Sequence, residues 1–197
     1  KLQNFEIIEA RGVKMTNPDG EYFASGNERF VKESGLPLTE SHQAKAKEWE
    51  AEALYVVATA AIRTAPNGKD LVEKAEKELG LKINVISGDT EAGLIYEGVK
   101  QGIEFKEVPS LIMDIGGGST EFILLRDKKP VWQASFPIGS SVMLNRFRPA
   151  DPILSEEIEA IEDYLDEKLQ SLKEACGTEF PRVLIGSSGS FDTLAQM

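Results

Sequence analysis

Apolar positions along this chain fall into two rhythms. Dense short runs predict strands at 5–10, 55–59, 82–87, 111–115, 121–125, 130–136 and 182–186. Between them, apolar residues spaced among charges predict helices. An alanine- and charge-rich stretch at 41–54 is one. Asn67 caps another, which runs to Leu79 and stops at Gly80, and Asp89 caps a third, which ends near Gly102. Residues 140–147 predict a short helix. Ser155 opens a long one to about Glu174, in which Ile158, Ile161, Leu165, Leu169 and Leu172 recur every three or four positions. Its acids gather early, as the helix dipole favours. Residues 11–40 carry breaks at Asn17-Pro18-Asp19-Gly20, Gly26 and Gly35-Leu36-Pro37, and set no clear rhythm.

The alternation defines an α/β protein. Near residues 104–109 it changes from strand–helix alternation to consecutive strands. That shift is the expected boundary, with residues 1–106 as one lobe and 107–197 as the start of another. A length of 197 residues allows one or two domains, and 41% hydrophobic residues suffice for a sizeable core.

Charge narrows the function. With 22 basic and 33 acidic side chains the net charge is −11, which opposes non-specific binding to nucleic acid or an anionic membrane. A polyanionic substrate would have to be held by local groups and metal. Cys176 is the sole cysteine, so no internal disulfide forms, and a buried free thiol in a reducing compartment is expected. No apolar run reaches a membrane span of about 18 residues and no signal-peptide pattern opens the chain, so a cytoplasmic location is expected. His42 stands alone in a polar context, and no Cys/His cluster suggests zinc.

The richest segment is Asp114-Ile-Gly-Gly-Gly-Ser-Thr-Glu121, between two apolar runs. Two strands folding about Gly116, Gly117 and Gly118 would leave bare backbone, and positive φ is open to each glycine. Successive amides in such a bend form a hollow for an anion. Asp114 and Glu121 add oxygen ligands suited to a hard cation such as Mg2+. A glycine-rich hairpin without a ligand is the competing explanation. In Ser87-Gly-Asp-Thr-Glu91-Ala a strand meets a helix, and Glu91 falls in the first turn. It either serves a ligand there or simply favours the helix N-terminus. Arg63, just after a strand, offers planar donors for phosphate or an ordinary ion pair. Gly186, Ser187, Ser188 and Gly189 make a small-residue loop open to a nucleotide, or a tight connection.

These segments together resemble the exopolyphosphatase/guanosine pentaphosphate phosphatase (Ppx/GppA) family. The resemblance rests on Ala58-Thr-Ala-Ala-Ile-Arg63 with Ala65-Pro66-Asn67, Val85-Ile-Ser-Gly88 with Glu91-Ala92 and Leu94-Ile-Tyr, the glycine hairpin, and Phe136-Pro-Ile-Gly139. It is clear over residues 54–145 and weaker to 197. It implies an actin-like ATPase architecture, two ribonuclease-H-like lobes, here incomplete. It implies Mg2+-dependent removal of a terminal phosphate from inorganic polyphosphate or pppGpp. Glu91 matches the catalytic carboxylate, Asp114 and Glu121 the metal acids, Gly116–Ser119 the second phosphate loop, and Arg63 an arginine near the phosphates. Gly186–Ser190 resembles a loop used near a nucleotide in the wider superfamily. Expected partners are a polyphosphate or guanosine polyphosphate, with no DNA and no membrane; a homodimer is left open.

Two departures stand out. Residues 1–53 contain no Asp-Ile-Gly segment, with which members open, and Gly93 replaces an arginine that members commonly carry after Glu-Ala. They motivate an alternative, a non-catalytic phosphate- or nucleotide-binding regulatory module. A sugar- or acetate-kinase-like phosphotransferase is a third reading, weakened by the Ser-Gly-x-x-Glu-Ala setting of Glu91.

Overall fold

The computed structural model describes residues 3–8, 12–16, 22–26 and 55–197. The helix expected at 41–54, His42 and Trp49 lie outside the described residues. Chain contacts divide the protein into two compact units, one of residues 1–58 and 62–86, the other of 59–61 and 87–197.

In the first unit, β1 (Gln3–Ile8), β2 (Gly12–Thr16) and β3 (Tyr22–Gly26) form an antiparallel sheet in that order. Two of these strands lie where the sequence rhythm was silent. β4 (Val56–Ala58) and β5 (Ile83–Val85) pair in parallel, the usual result when helices cross between strands. The crossover holds the end of α1 (Ala60–Thr64) and α2 (Gly68–Leu79). Gly80 ends α2 in the left-handed conformation, as expected, whereas Asn67 makes no side-chain cap. The strand expected to be buried at 55–59 is not: Tyr55 is 58% and Val57 48% exposed.

The second unit is built on a four-stranded sheet, ordered β8-β7-β6-β9. β6 (Ser110–Ile115), β7 (Thr120–Arg126) and β8 (Lys129–Phe136) form an antiparallel meander, and β9 (Val183–Ser187) joins β6 in parallel. A meander extended by one parallel strand after a helical crossover is how a ribonuclease-H-like lobe begins. The β7–β8 turn is tight because Asp127 and Lys128 both take positive φ, which matches the twist of the flanking strands.

Helices cover both faces. α3 (Gly88–Gly102) lies on one, over Ile112, Ile123, Leu125 and Ile185. The other face carries Leu111, Met113, Phe122, Leu124 and Phe136, packed with residues of α4 (Ser140–Phe147), α5 (Ser155–Lys168) and α6 (Gln170–Cys176). α7 (Gly189–Gln196) follows β9. Contact thus groups α3 with the later strands, while the sequence rhythm sets its boundary at 106/107.

The single helix expected over 155–174 is two. It breaks at Leu169, whose φ and ψ are −91° and 13°, and this lets Leu172 and Cys176 turn into the core. Its cap also differs: Glu157 reaches back to accept from the amides of Leu154 and Ala150. Cys176 is buried, and burial pushes its thiol pKa up. Trp132 packs half-buried against the core. Among the described residues no helix is long and apolar enough to cross a membrane.

Candidate active site

Strand register brings the two hairpin acids together. Asp114 and Glu121 are direct cross-strand partners, a relation that sets Cβ atoms about 5 Å apart. Glu121 in turn pairs with Ser135 of β8, and Asp114 with Ser187 of β9. The sequence Ser135–Glu121–Asp114–Ser187 is therefore one polar row across all four strands. Alternation along each strand puts this row on the face that α3 covers, two positions beyond the apolar row of Ile112, Ile123 and Ile185.

Glu121 is the buried member of the row, and Asp114, Ser135 and Ser187 are half-buried. Glu121 is 2% exposed, and Ser135 Oγ donates to its Oε1 at 2.6 Å. Burial raises the Asp114 pKa above the ordinary 3.8, and the hydroxyls of Ser187 and Ser188 pull it back only in part. A buried and a half-buried carboxylate in direct register repel when both are ionised. A bound cation or a proton relieves that repulsion.

α3 begins at the end of the sheet where the row lies. Near its start, Gln133 Nε2 donates to the Asp89 carbonyl at 2.9 Å, and further on the Tyr96 hydroxyl reaches the Lys128 carbonyl at 3.5 Å. Since β8 runs from Lys129 to Phe136, these two bonds set the helix alongside it with its N-terminus toward Ser135. The cap is Ser87, not the expected Asp89: Ser87 Oγ accepts from the Thr90 amide at 3.1 Å. Glu91 sits half-buried in that first turn, its amide bonded to the Ser87 carbonyl.

The glycine bend works differently from the expected use of positive φ. Among the described glycines only Gly80 and Gly177 have positive φ. Gly118 is needed because a Cβ there would come within 2.8 Å of Ala60 Cβ. Gly139 is needed for the same reason, since its Cβ would lie 2.6 Å from the Ser119 nitrogen and the Gly117 oxygen. The carbonyls of Gly116 and Gly117 accept the amides of Ser140, Ser141 and Val142, so the bend caps α4. Its own amides remain: among the described residues, those of Gly117, Gly118 and Ser119 meet no acceptor. Such a run suits an anion.

The loop of Gly186, Ser187, Ser188 and Gly189 also reaches the row. The hydroxyls of Ser188 and Ser190 both donate to the Ile115 carbonyl, at 3.2 and 3.0 Å. Ser188 holds φ 71° and ψ 174°, a conformation that disfavours a side chain. A Cβ on Gly186 would strike the Phe191 ring, so that glycine serves packing. Arg63 belongs to the other unit, where its Nη1 donates to the Ile86 carbonyl at 2.8 Å. Gly93 needs no special backbone, and a Cβ there would meet only Gln133 Nε2, at 3.9 Å.

The site so drawn has two carboxylates in register. Among the described residues no group of three or more His, Cys, Asp or Glu side chains gathers as a metal site. Two carboxylates still fit Mg2+, which keeps several waters and commonly completes its shell with substrate phosphate.

Sheet order, acid pair and glycine bend define an α/β protein of ribonuclease-H-like type with a glycine bend beside its acids. The chain belongs to the Ppx/GppA phosphatase family, whose model matches residues 37–197. An exopolyphosphatase from Cytophaga hutchinsonii is 30% identical, with a TM-score of 0.78 over 96% of this chain and 67% of that one. An Aquifex aeolicus member of the Ppx/GppA family is 25% identical, with a TM-score of 0.67 over 95% of this chain and 66% of that one. An uncharacterised protein of Streptomyces coelicolor is 27% identical over 154 residues, 77% of this chain and 46% of that protein. The chain therefore spans about half the length of that curated relative.

Proposed function

We propose that the protein is a phosphohydrolase that removes a terminal phosphate from inorganic polyphosphate or pppGpp. Family membership supports phosphatase chemistry, and the solved exopolyphosphatase supports this substrate class. The observation that carries the reading is the Ser135–Glu121–Asp114–Ser187 row with the start of α3 above it.

Phosphoryl transfer depends on positioning and charge neutralisation rather than covalent help. Asp114 and Glu121 would hold a divalent cation, Mg2+, which when bound neutralises charge on the phosphate oxygens. The amides of Gly117, Gly118 and Ser119 donate to those oxygens as charge develops. Glu91 acts as the base, orienting a water in line with the breaking P–O bond and taking its proton. Low dielectric around the row strengthens each of these interactions.

Phosphate release from polyphosphate with Mg2+ tests this reading. Glu91→Gln keeps the shape and removes the base, so kcat is expected to fall by about 10²- to 10⁴-fold. Equal turnover by both forms removes Glu91 from the role. A second reading has a specific motive in Gly93, which leaves the second turn of α3 without the cation common in members although the backbone would accept a side chain. A binding module would be stabilised thermally by polyphosphate and release no phosphate from it.

A further inference from the structure

Strand β8 supplies neither acid nor glycine bend, yet its α3-facing residues touch both parts of the site. Gln133 holds the first turn of α3, and Ser135 holds Glu121. A hydroxyl donating to a carboxylate at 2.6 Å is a short, charge-assisted bond. Glu121 is as buried as its apolar neighbour Phe122, at 2% and 3% exposure. In such surroundings each donor strongly constrains the orientation of a carboxylate.

We propose that Ser135 is a positioning residue. Its hydroxyl fixes the Glu121 carboxylate in the plane from which Glu121 and Asp114 together take a divalent cation, an assignment that rests on the metal reading above. The row explains the placement. Ser135 is the cross-strand partner of Glu121 on the side away from Asp114, so its bond draws Oε1 toward β8. Outer partners of metal-binding carboxylates act in this way, and their loss commonly weakens metal binding by 10- to 100-fold. A hydroxyl that merely satisfied a buried acceptor would affect stability and leave cation affinity alone.

Mn2+ titration of the full chain, followed by the electron paramagnetic resonance of the free ion, separates these roles. Wild type is expected to bind Mn2+ and Glu121→Gln to lose it. Ser135→Ala is expected to bind about tenfold more weakly. Ser135→Thr keeps the hydroxyl and is expected to restore most of the affinity. In turnover, Ser135→Ala raises the Mg2+ concentration needed for half-maximal rate by the same factor, with kcat at saturating Mg2+ little changed. Should the alanine variant not fold, Ser135→Cys keeps the volume, weakens the donor and carries the same comparison. Wild-type Mn2+ affinity in Ser135→Ala, with only the melting temperature lowered, overturns the positioning role while the metal site stands. No Mn2+ binding by wild type overturns the metal reading, and the role of Ser135 with it.

Discussion

The two faces of the second unit's sheet make unlike use of the same strands. One is mainly apolar, with Leu111, Met113, Phe122, Leu124 and Phe136 packed with residues of α4, α5 and α6, and its one buried hydroxyl among the described residues of β7, Thr120, donates to the Ile138 carbonyl. The other is apolar at Ile112, Ile123, Leu125 and Ile185, then changes to two acids and two serines within one step of the pleat. β7 shows the contrast within one strand. Its residues 120–125 are all buried, yet Phe122 and Leu124 point into the apolar core while Glu121, on the opposite face, is a buried acid. The first face supplies cohesion. The second gives up part of that cohesion to keep charged groups out of water, where electrostatic interactions are strong.

Substitutions on the two faces should therefore separate stability from chemistry. Leu124→Ala leaves a cavity in the apolar face, and a loss of about 2–5 kcal/mol in denaturant unfolding is expected. Any enzyme that remains folded should turn over normally. An intact stability would show that this face is not the mechanical base of the unit.

Asp114→Asn probes the opposite face and should do the reverse. Because burial raises the Asp114 pKa, the fold favours the protonated form. The stabilising contribution of that preference is fully present below the ordinary value of 3.8 and is lost as pH rises through the raised one. At neutral pH without metal, wild type keeps an ionised, desolvated carboxylate that asparagine does not. The variant should melt higher than wild type at pH 7 and lose that advantage in acid, while Mg2+-dependent phosphate release falls. Melting curves at both pH values, with and without Mg2+, check the sign. A variant less stable at neutral pH contradicts it.

The smallest effect is expected at Gly93. Its backbone is ordinary helix with room for a Cβ, so Gly93→Ala should stabilise by about 0.5–1 kcal/mol. Thermal unfolding measures it. A loss instead would show that the start of α3 depends on glycine.

Much of this arrangement was legible in local sequence. The glycine hairpin and its flanking acids are set by neighbours along the chain, and strand alternation places Asp114 and Glu121 on one face. Ser135 and Gln133 were not legible, because their importance comes from the register of a third strand. That register passes an irregularity between Leu124 and Leu125, which no local rhythm records. The role of the glycines was half visible. Bare backbone was expected, but the need for it lies in the approach of Ala60 and Gly139 to the bend, from distant positions. The break at Leu169 escaped because the apolar spacing continues across it.

The bond from the Ser141 amide to the Gly117 carbonyl has a practical consequence. A helix whose opening turn hangs from the bend reports any shift of the bend along its whole length. Leu144, three residues on and 63% exposed, is thus a suitable attachment point for a fluorescent label, where ligand arrival at Gly117 would be read as a change in emission without disturbing either acid.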